Sequence, residues 1–263
     1  MDTQAKVSVE ERREQGKRRR RIAVSIGLWA LAVVLTLASA VYQRRTGPTY
    51  PKRVEYAAGG EVYRSELVRS GTTGEDAAVS LPDVDGMAGF LYYKRYKVDE
   101  DYSAAQMYRS EGRLTGYLPT QPMAGKLEYY VELRPEQGPG DPVRVPSDRS
   151  VVIRFKGSVP PHALIPHVII IFISMLFGMR ALLEAIRGGP GLRWLAWATT
   201  ITLLVGGMYY GPMVQAYSFG AWWTGVPFGW DLTDNKTLIA TIFWLIALWS
   251  VSYTHLTLPT NRE

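Results

Sequence analysis

Residues 217–248 read YSFGAWWTGVPFGWDLTDNKTLIATIFWLIAL. Trp222, Trp223 and Trp230 stand between glycine-bounded turns, and Asp231 and Asp234 lead directly into an apolar run. Tryptophan concentrates at the membrane–water boundary, where its ring is buried and its N–H stays wet. An aromatic loop between two apolar segments therefore reads as a surface pressed onto a membrane, or as a flat shelf for a flat ligand. This reading sets the fold class: a membrane α-helical protein with at least four spans, joined to an all-β domain.

On either side of the loop at 211–236 lie apolar segments at 193–210 and 237–250, expected to be the third and fourth spans. Before them, residues 163–187 form a second span with an amphipathic cytoplasmic extension, in which Glu184 follows Arg180 by four residues and can pair with it on one helix face. Gly188-Gly189-Pro190-Gly191 ends that helix, and Arg180, Arg187 and Arg193 mark the break as a cytoplasmic loop. The first span is the uncharged run 22–42, an uncleaved anchor although Ala38-Ser39-Ala40 has the small-x-small pattern of a cleavage site. Residues 1–21 carry eight Lys/Arg against four acids. A basic tail abutting an apolar run fixes membrane orientation rather than binding nucleic acid, which puts the N-terminus in the cytoplasm of a bacterial inner membrane. Residues 46–157 and the Trp-rich loop then lie outside.

The middle of the chain changes period. Leu127, Tyr129, Val131 and Leu133 alternate with polar or amphipathic residues, as do Val151, Ile153 and Phe155, which predicts half-buried strands. Further strands are expected at 53–57, 61–69, 89–96, 105–109 and 113–118, separated by turns at 58–60, 71–74, 110–112 and 138–140. About seven short strands without a helical period imply an antiparallel sandwich over 46–157. The run Tyr92-Tyr93-Lys94-Arg95-Tyr96, then Met107, then Gly116-Tyr117-Leu118-Pro119, then Gly125-Lys126-Leu127-Glu128-Tyr129-Tyr130-Val131 resembles Ig-like and fibronectin-III-like modules over about 81–133. That resemblance implies a fold and says nothing of activity. Tyrosines, Arg and Lys around 92–97 are a candidate binding face, or cross-strand pairs on a solvated face.

Residues 219–239 resemble the WWD segment of haem-handling proteins in cytochrome c assembly. Phe219-Gly220 stands where that family has Trp-Gly, Trp222 and Trp223 where it has the next Trp, and Trp230-Asp231 matches directly. Asp234 takes the place of its Glu, and Leu238-Ile239 opens the helix. The stretch 224–229 makes the gap between tryptophans longer than in the family. The resemblance implies an outer haem platform of Trp222, Trp223, Trp230, Asp231 and Asp234. An axial histidine would come from a flanking helix end, with His167 the candidate and His162 beside it. The plain alternatives are an interfacial aromatic belt, and a helix N-cap formed by Asp231, Thr233 and Asp234.

Residues 251–260, VSYTHLTLPT, resemble the translation of a transposon-end sequencing adapter. Residues 251–263 are therefore expected to be read-through, with the gene continuing past about Trp249 and His255 no ligand. The chain has no cysteine, which excludes disulfides, thiolate metal sites, cysteine nucleophiles and covalent c-type haem attachment. No Walker loop, dinucleotide fingerprint, nucleophile elbow or H-E-x-x-H occurs. Asp83-Val84-Asp85-Gly86 lacks the downstream Glu of a calcium loop and reads as a turn. No catalytic residue and no metal site is expected. The expected function is non-catalytic: the β domain binds or positions an envelope protein partner while the helices contact membrane lipid. Haem handling or electron transfer is the alternative.

Overall fold

The computed structural model describes the backbone of residues 2–138 and 140–257 and the side chains of residues 12–138 and 140–251. The expected read-through segment beyond Thr257, the side chain of His255, and Pro139 in the expected 138–140 turn lie outside these residues. The chain divides into two compact units. One is helical, built from the chain up to Tyr42, Pro161–Pro212 and the chain from Trp223; the other is Gln43–Pro160 with Met213–Trp222.

The helical unit contains α1 (Asp2–Thr46) as far as Tyr42, α2 (Pro161–Arg187), α3 (Leu192–Leu203), a π-helical segment (Leu204–Tyr210), the start of α4 (Gly211–Phe219), and α5 (Leu232–Thr257). Among the described residues, two of these helices, Arg12–Thr46 of α1 and α2 itself, are long and apolar enough to cross a membrane. Pro161 opens α2, where its missing N–H costs nothing, and Gly188 in a left-handed conformation follows its last residue. Helical backbone runs from α3 through the π segment into α4 without a break. What the sequence reads as loop from Gly211 is thus helical to Phe219, and irregular backbone occupies the short stretch before α5.

Small residues line the helix contacts. Ala163, Ser174, Ala181, Ala196, Thr199, Thr200, Gly206 and Gly207 are buried, while larger apolar side chains such as Ile165, Ile169 and Phe243 point outward. Small side chains let helix backbones approach closely where apolar burial between helices gives little drive. The Ser174 hydroxyl accordingly reaches the Thr199 carbonyl at 3.3 Å. An aromatic trio joins three helices: Trp29 of α1 lies 6.0 Å from Phe177 of α2 and 6.4 Å from Trp194 of α3.

The β unit has eleven strands: β1 (Lys52–Ala58), β2 (Glu61–Leu67), β3 (Ser70–Thr72), β4 (Ala77–Pro82), β5 (Met87–Arg95), β6 (Ser103–Gln106), β7 (Tyr108–Ser110), β8 (Arg113–Leu118), β9 (Lys126–Pro135), β10 (Val143–Val145) and β11 (Val151–Lys156). They form three sheets, β1-β2, β3-β11-β9-β5-β6 with β10 also on β9, and β4-β8-β7. Two hairpins close on two-residue turns in which both residues have positive φ, Gly59-Gly60 and Glu111-Gly112. This mirror-type turn matches the natural twist of paired strands. Buried faces from all three sheets meet in one cluster that includes Tyr56, Leu81, Leu91, Leu114, Tyr129, Ile153 and Phe155.

The expectation of about seven strands in a purely antiparallel arrangement is corrected in two respects. β3, β4 and β10 are additional strands and the expected strand 105–109 falls on two, β6 and β7, in different sheets; and β3 pairs with β11 in parallel, Gly71 opposite Phe155. After β2 the chain joins the edge of another sheet, where the Arg69 carbonyl accepts the Arg154 N–H. Gly71 suits that edge, since a Cβ there would fall 2.8 Å from the Phe155 ring.

Candidate functional site

The Trp-rich loop is built backward from the first turn of α5. Asp231 is the helix cap: its Oδ1 accepts the N–H of Thr233 at 2.9 Å and of Asp234 at 3.3 Å. Asp234 sits one turn in and is buried, its Oδ2 accepting both the N–H and the hydroxyl of Thr224, at 2.7 and 3.1 Å. Asn235 takes the N–H of Val226 at 2.8 Å, and the Thr224 carbonyl accepts the Asp231 N–H at 3.0 Å. Thr224–Asp231 is therefore a closed loop clamped at its neck. Its glycines are required by space: a Cβ on Gly229 would fall 2.4 Å from the Thr224 carbonyl oxygen, and one on Gly225 2.7 Å from Asn235 Oδ1.

The acidic pair thus holds backbone, and the tryptophans take separate roles. Trp223 is half-buried and its Nε1–H donates to the Val226 carbonyl at 3.1 Å. Trp230, next to the neck, is 88% exposed, and Phe228 and Trp222 are also exposed. The loop presents large apolar rings on a rigid frame.

His167 lies in the second turn of α2, and its Nδ1 stands 2.8 Å from the carbonyl oxygen of Gly206 in the π segment. A carbonyl only accepts, so Nδ1 carries the hydrogen, and in the neutral imidazole Nε2 carries the lone pair. This is the arrangement that orients a ligating histidine: one ring nitrogen tied to a backbone carbonyl, the other left as donor to an ion. The π register and the absence of side chains at Gly206 and Gly207 permit it. A Cβ on Gly206 would meet Ile170 at 3.0 Å, and one on Gly207 would meet Thr237 of α5 at 2.9 Å. Contacts thus run from α2 through the π segment to the turn of α5 that follows Asp234. His167 is held on Gly206, while the Asp pair is held on the loop neck.

Thr224, Asn235, Gly206 and Gly207 are positioning residues that the sequence does not single out. Gly-Gly inside an apolar run was the available signal for the last two. Among the described residues no cluster of three or more His, Asp or Glu could hold a metal ion.

A second candidate surface lies on the β unit. The outward side chains of β5 and β9 place Tyr92 opposite Tyr130, with the rings 5.0 Å apart and 7° from parallel. The Arg144 guanidinium lies 4.1 Å from the Tyr130 ring centroid, and Arg134 lies 5.0 Å from Phe90 and 5.9 Å from Tyr92. Tyr102 meets Tyr130 edge-on at 5.1 Å. Polar bonds lock the rings: Arg134 donates to the Tyr92 hydroxyl at 2.6 Å, Arg144 to the Ser150 hydroxyl at 3.0 Å, and Tyr102 lies 3.2 Å from that hydroxyl. Partial burial pushes the Tyr130 phenol above its ordinary range, so it stays protonated. The face is a fixed ladder of aromatic and guanidinium planes. Against known proteins, the chain matches no protein-family model and no curated protein.

Proposed function

We propose that the chain is a four-span protein of a bacterial cytoplasmic membrane. In this reading its β unit is an Ig-like sandwich on the extracytoplasmic side that binds and positions another envelope protein without catalysis. Two sheets and a hairpin burying into one core support the sandwich. The observation that carries the binding role is the ladder Phe90, Tyr92, Tyr130, Arg134 and Arg144. Tyrosine and arginine carry a disproportionate share of interface energy. Planes already locked by stacking and hydrogen bonds lose little entropy when a partner covers them. A photo-crosslinking residue at Lys94, beside the ladder, tests this in living cells. The expected result is one discrete adduct that disappears in Tyr130→Ala and Arg144→Ala proteins that remain folded. No adduct, or one indifferent to both substitutions, removes the ladder as the binding face.

Haem handling is the second reading, and one observation favours it: the Nδ1 bond of His167 to Gly206 leaves Nε2 as a ligand atom. Bound haem would supply redox-active iron. His167 would hold its iron through Nε2, and the exposed ring of Trp230 would offer an apolar face. Asp231 and Asp234 would serve by keeping the loop in shape. Full-length protein purified from haem-supplied cells should then show a Soret band that is lost in His167→Ala and kept in Asp231→Asn. A flat spectrum from folded protein ends this reading.

A further inference from the structure

A cavity of about 550 Å³ in the helical unit is walled by Arg21 and Trp29 of α1, Arg180, Glu184 and Arg187 of α2, and Trp194 of α3. Its charges do not balance. Glu184 is the one acid among these groups, and both its oxygens are engaged. Arg180 Nη1 donates to one at 2.5 Å, and the Gly191 N–H donates to the other at 3.3 Å. Arg180 is only 5% exposed, and its Nε is buried without a hydrogen-bond partner. A buried ionised donor with no acceptor is disfavoured, and such a group in a native fold points to a missing partner.

The surroundings are cationic too. Arg21 and Arg187 are exposed at the cavity, and an adjoining groove adds Lys17 and Arg20 to these same two arginines. Aromatic rings line the cavity beside these charges: Trp29 and Trp194 stand 6.4 Å apart, and the Arg180 guanidinium lies 5.5 Å from the Trp29 ring. The turn that closes the cavity is fixed by Glu184 itself. A side chain on Gly189 would collide with its carboxylate.

We propose that this cavity binds a phosphate-bearing anion, held between the guanidinium groups of Arg21, Arg180 and Arg187. Guanidinium forks match the geometry of phosphate oxygens, and a basic pocket flanked by tryptophan is the chemistry that takes an anionic lipid headgroup at the membrane surface. A phospholipid headgroup and a soluble phosphate compound share that chemistry. The lipid source rests on the membrane placement proposed above; the anion site rests on the cavity alone.

The test uses the full-length protein purified in detergent, with thermal unfolding as the readout. Phosphatidylglycerol and phosphatidylcholine are titrated in mixed micelles, and inorganic phosphate in a separate series. Arg21→Gln/Arg187→Gln removes two cavity charges and leaves the Arg180–Glu184 pair intact. Arg12→Gln/Arg13→Gln removes the same charge from α1 outside the cavity. Saturable stabilisation by phosphatidylglycerol and not phosphatidylcholine is expected. Its apparent affinity should fall on the order of tenfold or more in the first variant and hold in the second. The same pattern with inorganic phosphate supports the site and names a soluble phosphate compound as the source. Equal loss in both variants, stabilisation unchanged by either, or no stabilisation by any anion overturns the proposal. Recovery of the protein without detergent in the soluble fraction would remove the membrane reading and leave the phosphate series to decide the site.

Discussion

Asp231 and Asp234 show how one residue type at two neighbouring positions acquires different work. Asp231 caps the first turn of α5 with a half-buried carboxylate, so its loss should cost about 1 kcal/mol, and Asn should restore most of it. Asp234 is buried and accepts two bonds from Thr224, whose N–H would be left without that acceptor. Asp234→Ala should therefore cost roughly 1–3 kcal/mol, more than Asp231→Ala. Thermal unfolding in detergent checks the order. Limited proteolysis adds a second check, because only Asp234→Ala unclamps the loop neck and should expose the Gly225–Gly229 stretch to cleavage. An inverted order would mean that the cap, not the buried clamp, holds the loop. The cap was legible in the sequence, since Asp-x-Thr-Asp before an apolar run has that composition. The clamp was not, because Thr224 and Asp234 meet only once the loop has closed.

Among the elements, those whose pattern repeats were readable and those defined by pairing were not. β9 and β11 alternate over enough residues to declare both strand and buried face. β3 is Ser-Gly-Thr, a composition that locally favours a turn, and it becomes a strand only because β11 offers an unpaired edge. The π segment is hidden for a similar reason. A change of hydrogen-bond register leaves no periodic trace, and Gly211-Pro212 reads as a stop. The helix nevertheless continues to Phe219, since a π segment re-registers its carbonyls and tolerates a proline that donates no N–H. The same segment carries a prediction. Gly207→Ala places a methyl 2.9 Å from Thr237 and should destabilise the helical unit by about 1–3 kcal/mol, whereas Gly207→Ala combined with Thr237→Ser should recover part of it. Failure of the double substitution to recover stability in thermal unfolding would dissociate the π segment from α5.

At the scale of the whole molecule, the β core is closed within its own stretch of chain. Every residue of its hydrophobic cluster lies between Val54 and Phe155, although the unit also includes Met213–Trp222. The bonds that tie that later segment in include the Gly157 N–H to the Ser218 carbonyl at 2.8 Å, and Arg154 over the Phe219 ring at 3.8 Å. A fragment of residues 46–157 should therefore fold alone, with a β-type circular dichroism spectrum and a cooperative thermal transition. An unfolded fragment would show that Met213–Trp222 is needed for the core to close.

Topology is the remaining property of the whole chain, and composition makes it unusually clean to measure, because the protein has no cysteine of its own. The cavity places Arg21 of α1 beside Arg187 of α2, so the two basic clusters that the positive-inside rule would each assign to the cytoplasm meet on one side of the helical unit. Single substitutions Gly16→Cys and Arg193→Cys, on that side, should resist a membrane-impermeant maleimide in intact cells and react after permeabilisation. Val62→Cys on the β1-β2 hairpin and Phe228→Cys in the Trp-rich loop occupy exposed positions and should react in cells in which the outer layers alone are opened. Labelling of Val62→Cys with protection of Phe228→Cys would place an odd number of crossings between them. The four-span arrangement would then fail, and the tryptophans would lie on the opposite side of the membrane from the β unit.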